Sequence, residues 1–291
     1  MSTSGVELIL AARSADIGGF AVLRALPQAK RRMVGPFIFL DQMGPASLAP
    51  GAGTDVLPHP HIGLSTVTYL FEGELHHKDT LGSSQVIRPG DVNWMTAGKG
   101  IAHAEHTPDE VRAKARRLFG IQIWVALPAA HEETAPAFTH HPKASLPVVD
   151  SGGVTVRVVA GNAFGVRSPV KTHSELFYAD ASLEAGAVLE LPPEHEERAV
   201  FAAQGDLELA EGVLRQGELA VLERGEQVLL RAGQDARALV FGGAALESPR
   251  HIWWNFVSSS RERIEQAKAD WKAQRFGAIE GETAFVPLPE R

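Results

Sequence analysis

Two short segments carry residue types at metal-ligand spacing: His59-Pro60-His61 and His103-Ala104-Glu105. In extended chain, residues two apart project to the same side, so each pair can share a target and the two pairs together can form a four-ligand cage. Neutral imidazoles with a carboxylate suit a borderline divalent ion such as Fe, Mn, Ni, Co, Cu or Zn, and ligand type alone does not choose among them. The competing reading is structural: His59-Pro60-His61 as a turn before a strand, with His103 and Glu105 hydrogen-bonding in a loop. Both pairs sit beside glycine turns, Gly63 and Gly98-Lys99-Gly100, in a β-patterned region, which favours the metal site.

The elements that must hold these residues read as strands. From residue 35 to 243 short apolar runs alternate with Gly, Pro, Asp and Asn, and few of them have helical periodicity. The spacing predicts strands at Thr66–Phe71, Leu118–Ala126, Val154–Val159, Ala187–Leu191, Ala199–Ala203, Glu218–Leu222, Gln227–Leu230 and Ala238–Phe241. Many short strands with frequent turns indicate sandwiches or barrels. A length of 291 residues suits two domains. The expected division is 1–130, a connection at 131–150 that is rich in Pro, Ala and His, and 151–291. One helix closes the chain: Ser259 with Glu262 forms a capping-box pattern, and Ile264, Ala267 and Trp271 fall on one face. Trp253, Trp254 and Phe256 read as packing residues.

Composition narrows the function. The chain has no cysteine, which excludes disulfides, thiolate nucleophiles, iron–sulfur clusters and zinc ribbons, so any metal sits on nitrogen and oxygen. Net charge is -7, which disfavours direct nucleic-acid contact; the basic run Arg112, Lys114, Arg116, Arg117 leads into an apolar strand and reads as a solvated edge. No apolar run approaches the roughly 20 residues that span a bilayer. The opening MSTSGVELILAARSAD lacks the pattern of a secretion signal, so a cytoplasmic protein without a membrane anchor is expected. Gly98-Lys99-Gly100-Ile101-Ala102-His103 has His where a dinucleotide fingerprint needs its third Gly, and no P-loop or GxSxG elbow occurs.

The spacing of the two ligand pairs resembles the cupins. Their first motif has HxH, an acid and a closing glycine; here Thr66 stands at the acid position and Gly73 closes the motif. Pro89-Gly90-Asp91 opens the second motif, and Glu105 restores the acid two residues after His103. That rearrangement, together with Trp94-Met95-Thr96-Ala97-Gly98, the upstream Gly35–Pro45 segment and Trp253–Val257, is similar to the pirin family and covers nearly the whole chain. The resemblance implies an all-β bicupin, two β-barrel or jelly-roll cupin domains with a C-terminal helix. It implies His59, His61, His103 and Glu105 as ligands of one divalent transition metal, Fe(II) first.

Laid on the second half with Gly205 matched to Gly73, the same spacing places the HxH positions on Leu191 and Pro193, and the later ones near Leu230 and Ala232. The C-terminal cupin therefore carries no ligands, and His195 and Glu197 read as a solvated turn. In His77-Lys78-Asp79 the family-like HxD spacing leaves open an outer-shell role or a hairpin hydrogen bond. Pirins are associated with quercetin 2,3-dioxygenase activity. The expected function is thus oxygenolytic ring opening of quercetin or a similar flavonol, with Glu105 as the base that takes the proton of the 3-hydroxyl. A small aromatic substrate and a monomer are expected. The other reading the resemblance offers is a metal- or redox-dependent regulator that binds a transcription factor or metabolic enzyme without turnover.

Overall fold

β-branched and aromatic residues concentrate where the chain is extended, as in Leu64–Glu72 (LSTVTYLFE), which is buried on both faces through Leu70. A computed structural model describes residues 5–17 and 19–290; of the opening stretch read for a leader, residues 1–4 lie outside it. Strands dominate, and the long helix is Arg261–Lys272. None of the described helices is long and apolar enough to cross a membrane. The architecture is that of two jelly-roll cupin domains with a C-terminal helix, although the sheets remain open rather than closing into barrels.

Five of the predicted strands appear with longer bounds, among them Arg116–Ala126, Val154–Ala163, Glu197–Gln204 and Ala236–Gly243, while Glu218–Leu222 keeps its bounds, Val188–Leu191 starts one residue later and Val228–Ala232 is shifted toward the C-terminus. The stretch read as a connection contains a strand, Ala137–His141, paired antiparallel with Val92–Thr96. Its alternation was hidden by the two histidines at its end.

The contacts divide the chain into two units that do not follow chain order. One contains the stretch up to Ser14, Leu23–Asp41 and Ala144–Leu246; the other contains 15–22, Gln42–Lys143 and the chain from Glu247 onward. In the first unit, buried valine, alanine and leucine fill the core, among them Val156, Ala179, Val200 and Leu230. Here His195 departs from the solvated turn expected of it. It is buried, stacks on Phe177 at 4.3 Å and donates from Nε2 to the Asn162 carbonyl at 2.9 Å. Glu197 accepts from the Gly35 amide at 2.6 Å, so both residues do structural work.

In the second unit, a four-stranded sheet runs Val56–His61, Ile101–His106, Leu75–Asp79, Ser84–Ile87. The wider sheet runs Ala137–His141, Val92–Thr96, Leu64–Glu72 and Arg116–Ala126. Gly63 turns the chain between the His61 strand and Leu64–Glu72. Its φ is +67°, and a Cβ there would sit 2.0 Å from the Val257 carbonyl oxygen, so only glycine fits. Two members of the basic run are paired locally, Arg112 with Asp55 and Arg117 with Glu72.

The closing helix begins one residue later than its sequence pattern suggested. Ser260 is the N-cap, accepting from the Arg263 amide, while Ser259 is drawn away to Glu132. Ile264, Ala267 and Trp271 face inward as expected and pack with Ile62, Ala102 and Phe256. Burying a large apolar side chain stabilises by roughly 1.5–3 kcal/mol, so this cluster clamps the two ligand strands from behind. Glu132 anchors the helix start: it accepts from Ser258, Ser259 and the fully buried Arg250 side chain, the last at 2.8 Å. Glu132→Gln is expected to cost about 3 kcal/mol, because the buried Arg250 charge then keeps neutral partners in Leu127 and Ser248 and, among the carboxylates described against it, the exposed Glu247 alone. Urea unfolding would measure it, and a loss below about 1 kcal/mol, the scale of an exposed pair, would refute the buried-pair reading.

Candidate metal centre

Strand alternation sends Ala102 toward the helix and His103 to the opposite face of the same sheet. The neighbouring strand brings His59 directly opposite His103 in register. His59, His61 and His103 are all buried, and one ring nitrogen from each lies within 4.8 Å of the others. The nitrogens His61 Nε2 and His103 Nε2 approach to 3.1 Å. Trp124 closes one side, with its ring 5.1 Å from that of His61.

The second nitrogen of each ring fixes the first. His59 Nδ1 lies 2.9 Å from the Leu57 carbonyl and His61 Nδ1 3.2 Å from the Asn255 carbonyl. A carbonyl only accepts, so both Nδ1 atoms carry the hydrogen and both Nε2 atoms are bare. His103 Nδ1 lies 3.3 Å from His77 Nδ1, while His77 Nε2 faces Asp79 Oδ2 at 2.9 Å. The carboxylate makes His77 Nε2 the donor and lets His77 Nδ1 accept from His103. All three Nε2 lone pairs then converge on one point with no hydrogen among them. Such a set repels itself unless a cation fills it, so the residues fit a divalent metal.

Electrostatics points the same way. Burial pushes the His59 pKa down to about 4, against the pull of its Leu57 bond. Burial likewise holds His61 and His103 well below the ordinary histidine value, reinforced by their histidine neighbours. Neutral imidazoles are the form that binds metal. A stability consequence follows. With the folded pKa depressed, an unfolded chain takes up protons below about pH 6.5 that the folded one refuses, so stability is full above that value. The metal-free protein is expected to lose about 1.4 kcal/mol per pH unit per histidine as pH falls from 6.5 toward 4. Urea unfolding at pH 7 and pH 5 measures it, and His59→Asn should show a shallower slope than the parent.

Glu105 does not fall within the group of three whose ligand atoms lie inside 4.8 Å. Simple alternation would set it beside His103. The pairing instead slips at a bulge, so that His103 faces His59 while Glu105 faces Val56. Toward Leu75–Asp79 the register stays regular and Glu105 faces His77. Oε1 of the half-buried Glu105 lies 3.1 Å from Thr68 Oγ1, whose single hydrogen it shares with Gln122 Oε1 at 2.8 Å. Burial raises its pKa, only partly offset by His77 and the Thr68 bond.

His77 and Asp79 make the hairpin hydrogen bond that was one of the two readings, and His77 also reaches His103. Asp79 Oδ1 accepts from the Leu81 and Ser83 amides of the hairpin turn, while Oδ2 holds His77. Burial works against the Asp79 carboxylate, but the His77 and Ser83 bonds outweigh it and keep its pKa below the usual range. Sequence reasoning missed Asn255, because its contribution is a backbone carbonyl that no side chain advertises. It sits in the Trp254-Asn255 turn between His251–Trp253 and Phe256–Ser258, where Trp254 takes φ +52°. A left-handed tryptophan costs of order 1–3 kcal/mol, strain tolerated where it aims the next carbonyl at His61.

Residues 19–125 match the pirin family, and residues 178–277 match the pirin C-terminal cupin domain. A pirin-like protein of Caulobacter vibrioides is 50% identical over 291 residues, covering 98% of this chain and 100% of its own. The crystal structure of quercetin 2,3-dioxygenase from Acinetobacter baumannii superposes with a TM-score of 0.90 at 36% identity, covering 98% of this chain and 96% of that one. A second A. baumannii structure of the same name gives 0.87 at 28% identity, covering 94% and 98%.

Proposed function

This chain belongs to the pirin family, and from that membership we propose that it is a metal-dependent dioxygenase of the quercetin 2,3-dioxygenase type, opening the ring of quercetin or a similar flavonol. The observation that carries the reading is the convergence of three bare imidazole nitrogens on one buried point. His59, His61 and His103 hold one divalent transition metal, Fe(II) before Mn, Ni, Co, Cu or Zn, and Glu105 completes the ligand set from the rim. The likeness to the two A. baumannii dioxygenases supports the flavonol class of substrate.

Bound there, the ion would supply Lewis acidity toward a flavonol hydroxyl and a site for dioxygen. The chain supplies the rest. Glu105, its proton affinity raised by burial, takes the hydroxyl proton, and Thr68 holds the carboxylate in place. Trp124 and the buried sheet keep bulk water from the imidazoles. Elemental analysis of purified protein, then oxygen uptake with quercetin under each candidate metal, tests the reading. Uptake matched to loss of flavonol absorbance is expected, and no uptake with any of the metals would overturn the enzyme reading.

A further inference from the structure

Behind His103 runs a chain of hydrogen bonds that ends on a carboxylate: His103 Nδ1 to His77 Nδ1 at 3.3 Å, then His77 Nε2 to Asp79 Oδ2 at 2.9 Å. All of it is buried, and Phe138 stacks on the His77 ring at 4.4 Å and 13°, which fixes that ring's plane. The other two imidazoles of the cage have backbone carbonyls behind them, acceptors that cannot change role. The partner of His103 is another imidazole, which can donate or accept at either nitrogen. Something must therefore decide which nitrogen of His103 is bare.

We propose that Asp79 is a positioning residue that acts through His77, fixing the His103 tautomer with Nδ1 protonated and Nε2 turned bare toward the metal. This inference rests on the reading of the three histidines as ligands. Its force lies in the second oxygen of Asp79, which is already committed to the Leu81 and Ser83 amides. An asparagine at 79 must keep its oxygen on those two N–H groups, and its NH2 then faces His77. His77 Nε2 becomes an acceptor, and the ring hydrogen moves to Nδ1. His103 Nδ1 must then accept, and its hydrogen moves to Nε2, into the metal position. Turning the amide over only sets NH2 against two backbone donors. Exchange of an aspartate for asparagine behind a histidine leaves geometry intact while holding the wrong tautomer.

Cobalt(II) titration of metal-free protein, followed through its d–d absorption, reads the effect without turnover. Asp79→Asn is expected to weaken Co(II) binding by roughly 10–100-fold, the range for a ligand's outer partner. His77→Phe keeps the stacking on Phe138 but removes the acceptor, and should lose a similar factor. His77→Asn places an amide oxygen where Nδ1 stood and should recover most of the loss. In the His77→Phe background, Asp79→Asn should add nothing further, since the two act in series. Nitrogen-15 NMR of the metal-free protein should show His103 protonated at Nδ1 in the parent and at Nε2 in Asp79→Asn.

Parent-like Co(II) affinity in both Asp79→Asn and His77→Phe, or an unchanged His103 tautomer in Asp79→Asn, overturns the proposal. If Asp79→Asn does not fold, the two His77 variants decide: equal losses in Phe and Asn refute it, and rescue by Asn supports it. A parent protein that binds no Co(II) would instead bring down the metal reading beneath it.

Discussion

His61→Ala is expected to leave the protein folded but without stoichiometric metal and without oxygen uptake on quercetin. The substitution removes one of two nitrogens held 3.1 Å apart and leaves two imidazoles with Glu105 at the rim, too few to hold the ion against water. The loss of affinity should exceed the roughly 10–100-fold that follows from disturbing an outer partner. It also strips the half-buried Asn255 carbonyl of its His61 donor, a loss of about 1 kcal/mol. Elemental analysis, with far-UV circular dichroism to check folding, reads the result. Full metal occupancy in folded His61→Ala would remove this histidine from the ligand set.

Glu105→Gln is expected to separate metal from turnover. The three imidazoles remain, so much of the metal should stay bound, while the group that receives the substrate proton is gone. General-base contributions run to about 10²–10⁴-fold, and a fall in kcat within that range is the expectation. Burial raises the Glu105 pKa in the metal-free protein, and a bound cation beside it would act in the opposite direction. A base must be deprotonated, so the parent's rate should fall on the acid side, and that limb should vanish in the residual activity of Glu105→Gln. Turnover by Glu105→Gln at the parent rate would show that proton removal falls to another group.

The imidazole positions were legible because strand alternation is a strong constraint: two residues apart means one face, and His59 and His61 obey it. Glu105 was less legible for the same reason. A bulge breaks the register between His103 and Glu105, and nothing in Ala104 announces it. The inward face of the closing helix was readable from Ile264, Ala267 and Trp271, but its cap was not, because Glu132, distant in sequence, captures Ser259 and leaves Ser260 to close the first turn. The interleaving of the two units was also out of reach, since periodicity reports which face is apolar and not which distant strand covers it. His195 shows the limit from the other side: polarity suggested solvent, yet an aromatic face and a single carbonyl suffice to bury it.

The Trp254-Asn255 turn has a consequence for how the protein is made. A nascent chain that has emerged from the ribosome as far as His103 already carries every imidazole of the cage. It carries neither the carbonyl that orients His61 nor the helix that clamps Ile62 and Ala102. Those arrive only with residues 255–271, well over a hundred residues after His103. Metal captured before then would meet rings free to rotate and to hold the wrong hydrogen, so selective loading has to wait until Asn255 and the closing helix have emerged and docked.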